Sequence, residues 1–194
     1  MKTTALQLIL TLCLFWSSSI ISAGELATDK EFLPDLLLPI PQDEEYRNYL
    51  GLTGAGGSSF SLADIKADVL LIELFSMYCP YCQKEAANVN ELYQRMEEVS
   101  TQGMVVKIIG LGVANSQFEV EHFRDTYRVP FPLFPDLDKS MFKALSGAGT
   151  PSFVGCRLNG QKEKPVVVVR KAGGFYNAEH FLKELLEKSG YQRQ

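Results

Sequence analysis

Several residue types that announce a function are scarce in this chain. Its 194 residues include 2 histidines, 1 tryptophan and 4 cysteines, namely Cys13, Cys79, Cys82 and Cys156. Four cysteines with one close pair do not make a disulfide framework, in which bridges are spread along the whole chain. A zinc site takes four ligands, usually two cysteine pairs or one pair with two closely spaced histidines. Beside Cys79 and Cys82 only Cys156, His122 and His180 remain, with no second pair, so no metal is expected. Positive charge is also short: 19 Lys and Arg stand against 23 Asp and Glu, a net charge of −4, without a basic block. That balance argues against a nucleic-acid partner. No internal repeat or second domain can be traced, and the length suits one domain with a sizeable core.

An apolar run of full membrane length is missing too. Lys2 precedes "ALQLILTLCLFW" and then "SSSIISAGE". A charged start, an apolar stretch and small residues form the layout of a secretory signal, here residues 1–23 with cleavage after Ala23. The alternative is a retained membrane anchor. Ser17, Ser18 and Ser19 oppose it, because they interrupt the roughly 20 apolar residues that a span requires. Cleavage removes Cys13 and Trp16. Export, to the periplasm in a bacterium, places the remaining cysteines where disulfides form and persist.

Residues 24–58 are rich in Pro, Gly and acidic side chains and end in "GLTGAGGSS". They read as an N-terminal extension with one short strand and a flexible turn, leaving residues 59–194 as the domain. In that domain Ser61 or Asp64 can cap a short helical turn. Residues 69–75 are apolar on both parities, as in a strand buried on both faces of a parallel sheet. From Pro80 to Ser100 the period becomes helical, with Ala86, Val89, Leu92, Tyr93, Met96 and Val99 recurring at three and four. "MVVKIIGLGV" is a second buried strand, followed by a helix starting near Asn115 or Ser116. "FPLFPD" is a short strand and "LDKSMFKALSG" a helix ending at Gly147. "TPSFVGC" and "KPVVVVRKAGG" form an antiparallel hairpin, and "NAEHFLKELLEKSG" an amphipathic closing helix. The order β-α-β-α-β-α-β-β-α predicts an α/β fold, a mixed central sheet flanked by helices with an antiparallel edge.

Cys79-Pro80-Tyr81-Cys82 sits where the first buried strand hands over to the helix. Helix N-terminal N–H groups are unpaired and the dipole is positive there, which favours a thiolate at Cys79 and makes it the nucleophile. Cys82, three residues on, shares the helical face and can attack a mixed disulfide formed at Cys79. Haem attachment would need a histidine after the second cysteine, where Gln83 stands. A purely structural disulfide is the remaining alternative, although closing so short a loop gains little stability.

These residues resemble the thioredoxin fold, and more closely the exported thiol–disulfide oxidoreductases of the TlpA/ResA type. "FSLADIKADVLLIELFSMYCPYCQKE" resembles the family's segment through the active site. The block between Gly103 and Gly147 resembles its insertion, shared with peroxiredoxins. "GTPSF" resembles the loop that faces the cysteine pair, which implies that Pro151 is cis and that Thr150 lies against the sulfurs. The resemblance also implies that Glu73, six residues before Cys79, is the buried acid that shuttles protons to Cys82. Its other reading is an outward-facing residue beside a helix. Glu85, three after Cys82, matches an acid near the pair, or else lies on a solvated helix face. Tyr78, Pro80, Tyr81 and Thr150 fall where substrate would bind, although Tyr78 replaces the family's common tryptophan. Cys156 is read as a buried inert thiol, with a third redox centre as the alternative. The resemblance implies a monomeric oxidoreductase that needs no cofactor and exchanges with protein thiols, disulfides and a redox partner protein. It points towards a reductant. Two other functions stay open: a non-enzymatic binding module with a structural disulfide, and a peroxiredoxin-like peroxidase, whose Pro-x-x-x-Thr signature is absent before Cys79.

Overall fold

The computed structural model describes residues 30–54, 56–158, 160 and 163–190. The expected signal 1–23, with Cys13 and Trp16, lies outside the described residues. In chain order the elements are β1 (Leu37–Pro39), α1 (Glu44–Leu50), β2 (Ser59–Ser61), a 3-10 turn (Leu62–Asp64), β3 (Val69–Phe75) and α2 (Pro80–Ser100). They continue with β4 (Val106–Val113), α3 (Gln117–Tyr127), β5 (Leu133–Asp136), α4 (Ser140–Ala144), β6 (Ser152–Arg157), β7 (Val166–Ala172) and α5 (Ala178–Lys188). From β3 onward this is the order read from the sequence.

The main sheet runs β5-β4-β3-β6-β7. β3, β4 and β5 are parallel, whereas β6 runs antiparallel to both β3 and β7 and so makes the antiparallel edge. As the middle strand, β3 is buried at all 7 positions, as its apolar residues on both faces require, and Glu73 is buried with them. Alternation along β3 sends Val69, Leu71, Glu73 and Phe75 to one face and Leu70, Ile72 and Leu74 to the other. The first face packs against Cys82, Ala86, Val89, Leu92 and Met96 of α2, with α3 and α5 beside it. The second face packs against residues of β1, α1 and the 3-10 turn.

Residues 30–58 contribute more than the expected strand. β1 is present and pairs antiparallel with β2. The sequence reading lacked α1, because 7 residues are too few to display a periodicity. Its boundaries were nevertheless written in the chain, since Asp43 caps the N-terminus and Gly51 ends the helix at φ 73°. Leu33, Leu36, Leu38, Leu50 and Leu52 share one apolar cluster with Phe60, Leu70, Ile72 and Leu74. No break in packing therefore falls at the expected boundary between 58 and 59.

α1 also covers part of β4 that β5 leaves unpaired, since β5 pairs only with residues from Gly110 onward. Ile108 N–H donates to the Tyr49 hydroxyl at 2.9 Å, and that hydroxyl donates to the Ile108 carbonyl at 3.3 Å. Ser100, at the end of α2, closes Val106 in the same way, at 3.0 Å from its N–H and 3.3 Å to its carbonyl. The helix expected up to Gly147 is shorter, Ser140–Ala144. Lys139 at φ 62° prevents an earlier start, and Asp136 accepts from the N–H groups of Met141 and Phe142 at 3.0 and 2.8 Å.

Candidate active site

The C-terminal end of β3 delivers the chain to α2 through residues 76–78, and Cys79 is the N-cap of α2. Pro80 occupies the first turn, where a missing N–H costs nothing. The Cys79 sulfur accepts from Cys82 N–H at 3.3 Å, and its thiol donates to the Thr150 carbonyl at 3.2 Å. Both cysteines are free thiols: Cys79 is partly exposed and Cys82 is fully buried. Partial burial alone would raise the Cys79 pKa. Hydrogen bonds from the Thr150 side chain, the Cys82 thiol and the N–H groups of Cys82 and Tyr81 outweigh it and hold Cys79 below an ordinary thiol. Burial pushes Cys82 strongly the other way, and its hydrogen bond to Cys79 adds to that. One sulfur is thus prepared as a thiolate and its neighbour kept as a thiol.

Glu73 is 2% exposed and points to the face of the sheet that α2 covers, so it is not the outward-facing residue of the other reading. Burial and, next, the charge of Glu85 raise its pKa to about 8. Glu85 is tied to the loop after β7: its carboxylate accepts from Phe175 N–H at 2.7 Å and from the Asn88 amide at 3.3 Å. Gly174 allows that approach, since a Cβ there would stand 2.5 Å from the Glu85 carboxylate.

The loop before β6 completes the site. The Thr150–Pro151 peptide bond is cis, and the Pro151 carbonyl accepts from Gly173 N–H at 2.9 Å. Tyr81, Gly149, Thr150, Pro151 and Gly174 line an open cavity of about 310 Å³ beside the cysteines. Tyr78 and Tyr81 are exposed, and the Tyr78 hydroxyl donates to Glu119, which completes the capping box of α3 with the N-cap Ser116. Cys79, Cys82, Pro80, Tyr81, Thr150 and Pro151 are thus brought together, with Glu73 buried on the sheet face that α2 covers and Glu85 and Tyr78 at the margins. Cys156 is apart. It packs with the opposite face of the sheet, donates to the Leu70 carbonyl at 3.3 Å, and has its pKa raised to about 12 by burial.

Residues 44–173 match the AhpC/TSA family over the β3–α2 junction, the insertion and the proline loop. The chain belongs to the AhpC/TSA family. Among curated members, the thiol-disulfide oxidoreductase ResA of Bacillus subtilis (strain 168) is 26% identical over 101 residues, 52% of this chain and 54% of that protein. The match therefore spans about half of that relative's length. The ResA of Halalkalibacterium halodurans is 24% identical over 131 residues, 68% of each chain. A secreted thiol-disulfide isomerase from Corynebacterium glutamicum has a similar structure, with a TM-score of 0.58 at 15% identity, covering 84% of this chain and 88% of that one. The fold of this AhpC/TSA member is thioredoxin-like, with a mixed central sheet between helices.

Two side chains at the site escaped the sequence reading. Asn115, fully buried at the β4–α3 connection, accepts from Met77 N–H at 2.9 Å. Gln83 of α2 donates to the Met77 carbonyl at 2.8 Å. A polar residue directly after the apolar run of β4 was the signal available for Asn115. Gln83 carried none beyond its place next to Cys82.

Proposed function

We propose that the chain is an exported thiol–disulfide oxidoreductase acting on protein cysteines, as a reductant. The observation that carries this is the opposed pair: a partly exposed Cys79 held towards thiolate at a helix N-terminus, and a buried Cys82 held as thiol. The Cys79 thiolate attacks one sulfur of a substrate disulfide and expels the other as a thiolate, leaving a mixed disulfide. Cys82 then gives up its proton and attacks the Cys79 sulfur, which releases the second substrate thiolate and leaves a Cys79–Cys82 disulfide. Two electrons pass to the substrate, and a redox partner protein returns them by the reverse exchange. Glu73, with a pKa of about 8, receives the Cys82 proton in its ionised form and returns one in its neutral form. Glu85 and the cis Pro151 shape the cavity margin, and Tyr78, Pro80, Tyr81 and Thr150 form the surface that meets substrate. The signal-like start of the chain, and the secreted nature of the Corynebacterium neighbour, support export to an extracytoplasmic compartment.

The test is exchange with a disulfide-bonded model protein under single-turnover conditions. The reduced wild-type protein is expected to reduce it, Cys79→Ser to fall to background, and Cys82→Ser to accumulate the mixed disulfide. A Cys79→Ser protein as active as wild type would refute the proposal. Turnover of hydrogen peroxide without protein-disulfide exchange would establish the peroxidase reading instead.

A further inference from the structure

The proposed chemistry needs the Cys79 sulfur to stay where Cys82 N–H donates to it at 3.3 Å, a position in which its thiol form also reaches the Thr150 carbonyl at 3.2 Å. Cys79 reaches these partners through the connection between β3 and α2, and the hold on that connection sets where the sulfur lies. That connection is residues 76–78, and its middle residue is held on both polar groups by side chains from different elements. Asn115 accepts from Met77 N–H at 2.9 Å, and Gln83 donates to the Met77 carbonyl at 2.8 Å. The same segment closes on Cys79, whose N–H donates to the Ser76 carbonyl at 3.0 Å.

The Asn115 end of this arrangement is built into the sheet. Asn115 N–H donates to the Gly112 carbonyl at 3.0 Å, and its side-chain amide lies 3.5 Å from the Ser76 hydroxyl. A Cβ at Gly112 would stand 2.6 Å from Val120 and 3.1 Å from the Asn115 Cβ, so the missing side chain lets Asn115 and the first turn of α3 sit against the end of β4. A fully buried asparagine amide costs free energy unless paired. Here its carbonyl oxygen is given to Met77 N–H, and it fastens the end of β4 to the end of β3.

We propose that Asn115 and Gln83 are positioning residues for the nucleophile, clamping the Met77 peptide groups so that the Cys79 sulfur is presented to the α2 N-terminus and Thr150. Neither touches substrate; both act through the backbone of residues 76–78. The clamp deepens the oxidoreductase reading and rests on it for its purpose, but its physical effect is on the thiolate itself. With one jaw removed, the sulfur samples positions away from the Cys82 and Tyr81 N–H groups and behaves more like an ordinary solvated thiol. The titratable side chain against it is the Cys82 thiol.

The experiment follows alkylation of Cys79 by iodoacetamide against pH, with the site read by peptide mass, in wild type, Asn115→Ala and the near-isosteric Gln83→Met. Each variant is expected to have its alkylation profile displaced to higher pH by about half a unit or more, which slows alkylation about threefold at pH values well below the wild-type midpoint. Thermal melting of each variant is recorded alongside. A lowered melting temperature with an unmoved profile makes the residues merely structural and overturns the proposal. If Asn115→Ala does not fold, Gln83→Met decides alone, and its profile overlaying wild type overturns the clamp. Alkylation requires no exchange activity, so a wild-type protein that alkylates as expected yet reduces no protein disulfide overturns the oxidoreductase reading instead.

Discussion

Replacing Glu73 by Gln tests whether the buried carboxyl titrates where its surroundings place it. Glu73 is 2% exposed on the middle strand, and burial followed by the Glu85 charge raises its pKa from 4.5 to about 8. An unfolded chain gives up this proton near the ordinary value, whereas the folded chain keeps it up to about 8. In the window between, the folded state binds one more proton, so stability falls as pH rises. The contribution of the neutral acid is complete below about pH 4.5 and lost above about pH 8. At about 1.4 kcal/mol per pH unit, the whole window is worth about 5 kcal/mol. Glutamine carries no such proton, and taking the difference between the two proteins cancels the other titrating groups. Urea denaturation of reduced wild type and Glu73→Gln, from about pH 5 to about pH 9, reads that difference. The two stabilities are expected to diverge with rising pH by about 1.4 kcal/mol per unit and to run parallel above about pH 8. Parallel stabilities across the entire range would refute the reasoning and make Glu73 an ordinary carboxylate.

Two further outcomes concern Glu85 beside the site and Cys156 on the opposite face of the sheet. Glu85→Gln keeps a carbonyl oxygen to accept from Phe175 N–H but removes the charge that raises Glu73, so the Glu73 transition measured as above moves to lower pH. Cys156→Ala deletes a buried sulfur and its bond to the Leu70 carbonyl, costing about 1–2 kcal/mol in the same urea series. Its rate of protein-disulfide exchange stays at the wild-type value, and a slower rate would give Cys156 a part in the chemistry.

Much of the fold was legible because local signals agreed with one another. The apolar Val69–Phe75, broken only by Glu73, Pro80 in the next turn and the helical spacing from Ala86 to Met96 each pointed to one strand–helix junction with Cys79 at its apex. Glu73 was legible by its position, but its environment was not, since the burial that moves its pKa comes from α2 and the neighbouring strands. α1 was hidden because its stability comes from tertiary contacts at Leu50 and Tyr49 more than from any pattern of its own. The contacts that furnish the site were the hardest to foresee. Asn115 meets Met77 across 38 residues and Glu85 meets Phe175 across 90, and polar pairs at such separations leave no periodic trace.

The two hydroxyls on β4 have a consequence beyond the monomer's own stability. A strand with free N–H and C=O groups is a template on which another chain can add a strand of its own. Val106 and Ile108 present such groups along the half of β4 that β5 does not reach, and Ser100 and Tyr49 occupy them. Tyr49 belongs to the segment before residue 59, so that segment occupies backbone groups that would otherwise be open to strand addition. Removal of the Tyr49 hydroxyl alone would return the Ile108 N–H and C=O to that exposed state while leaving the leucines of the segment packed on the sheet.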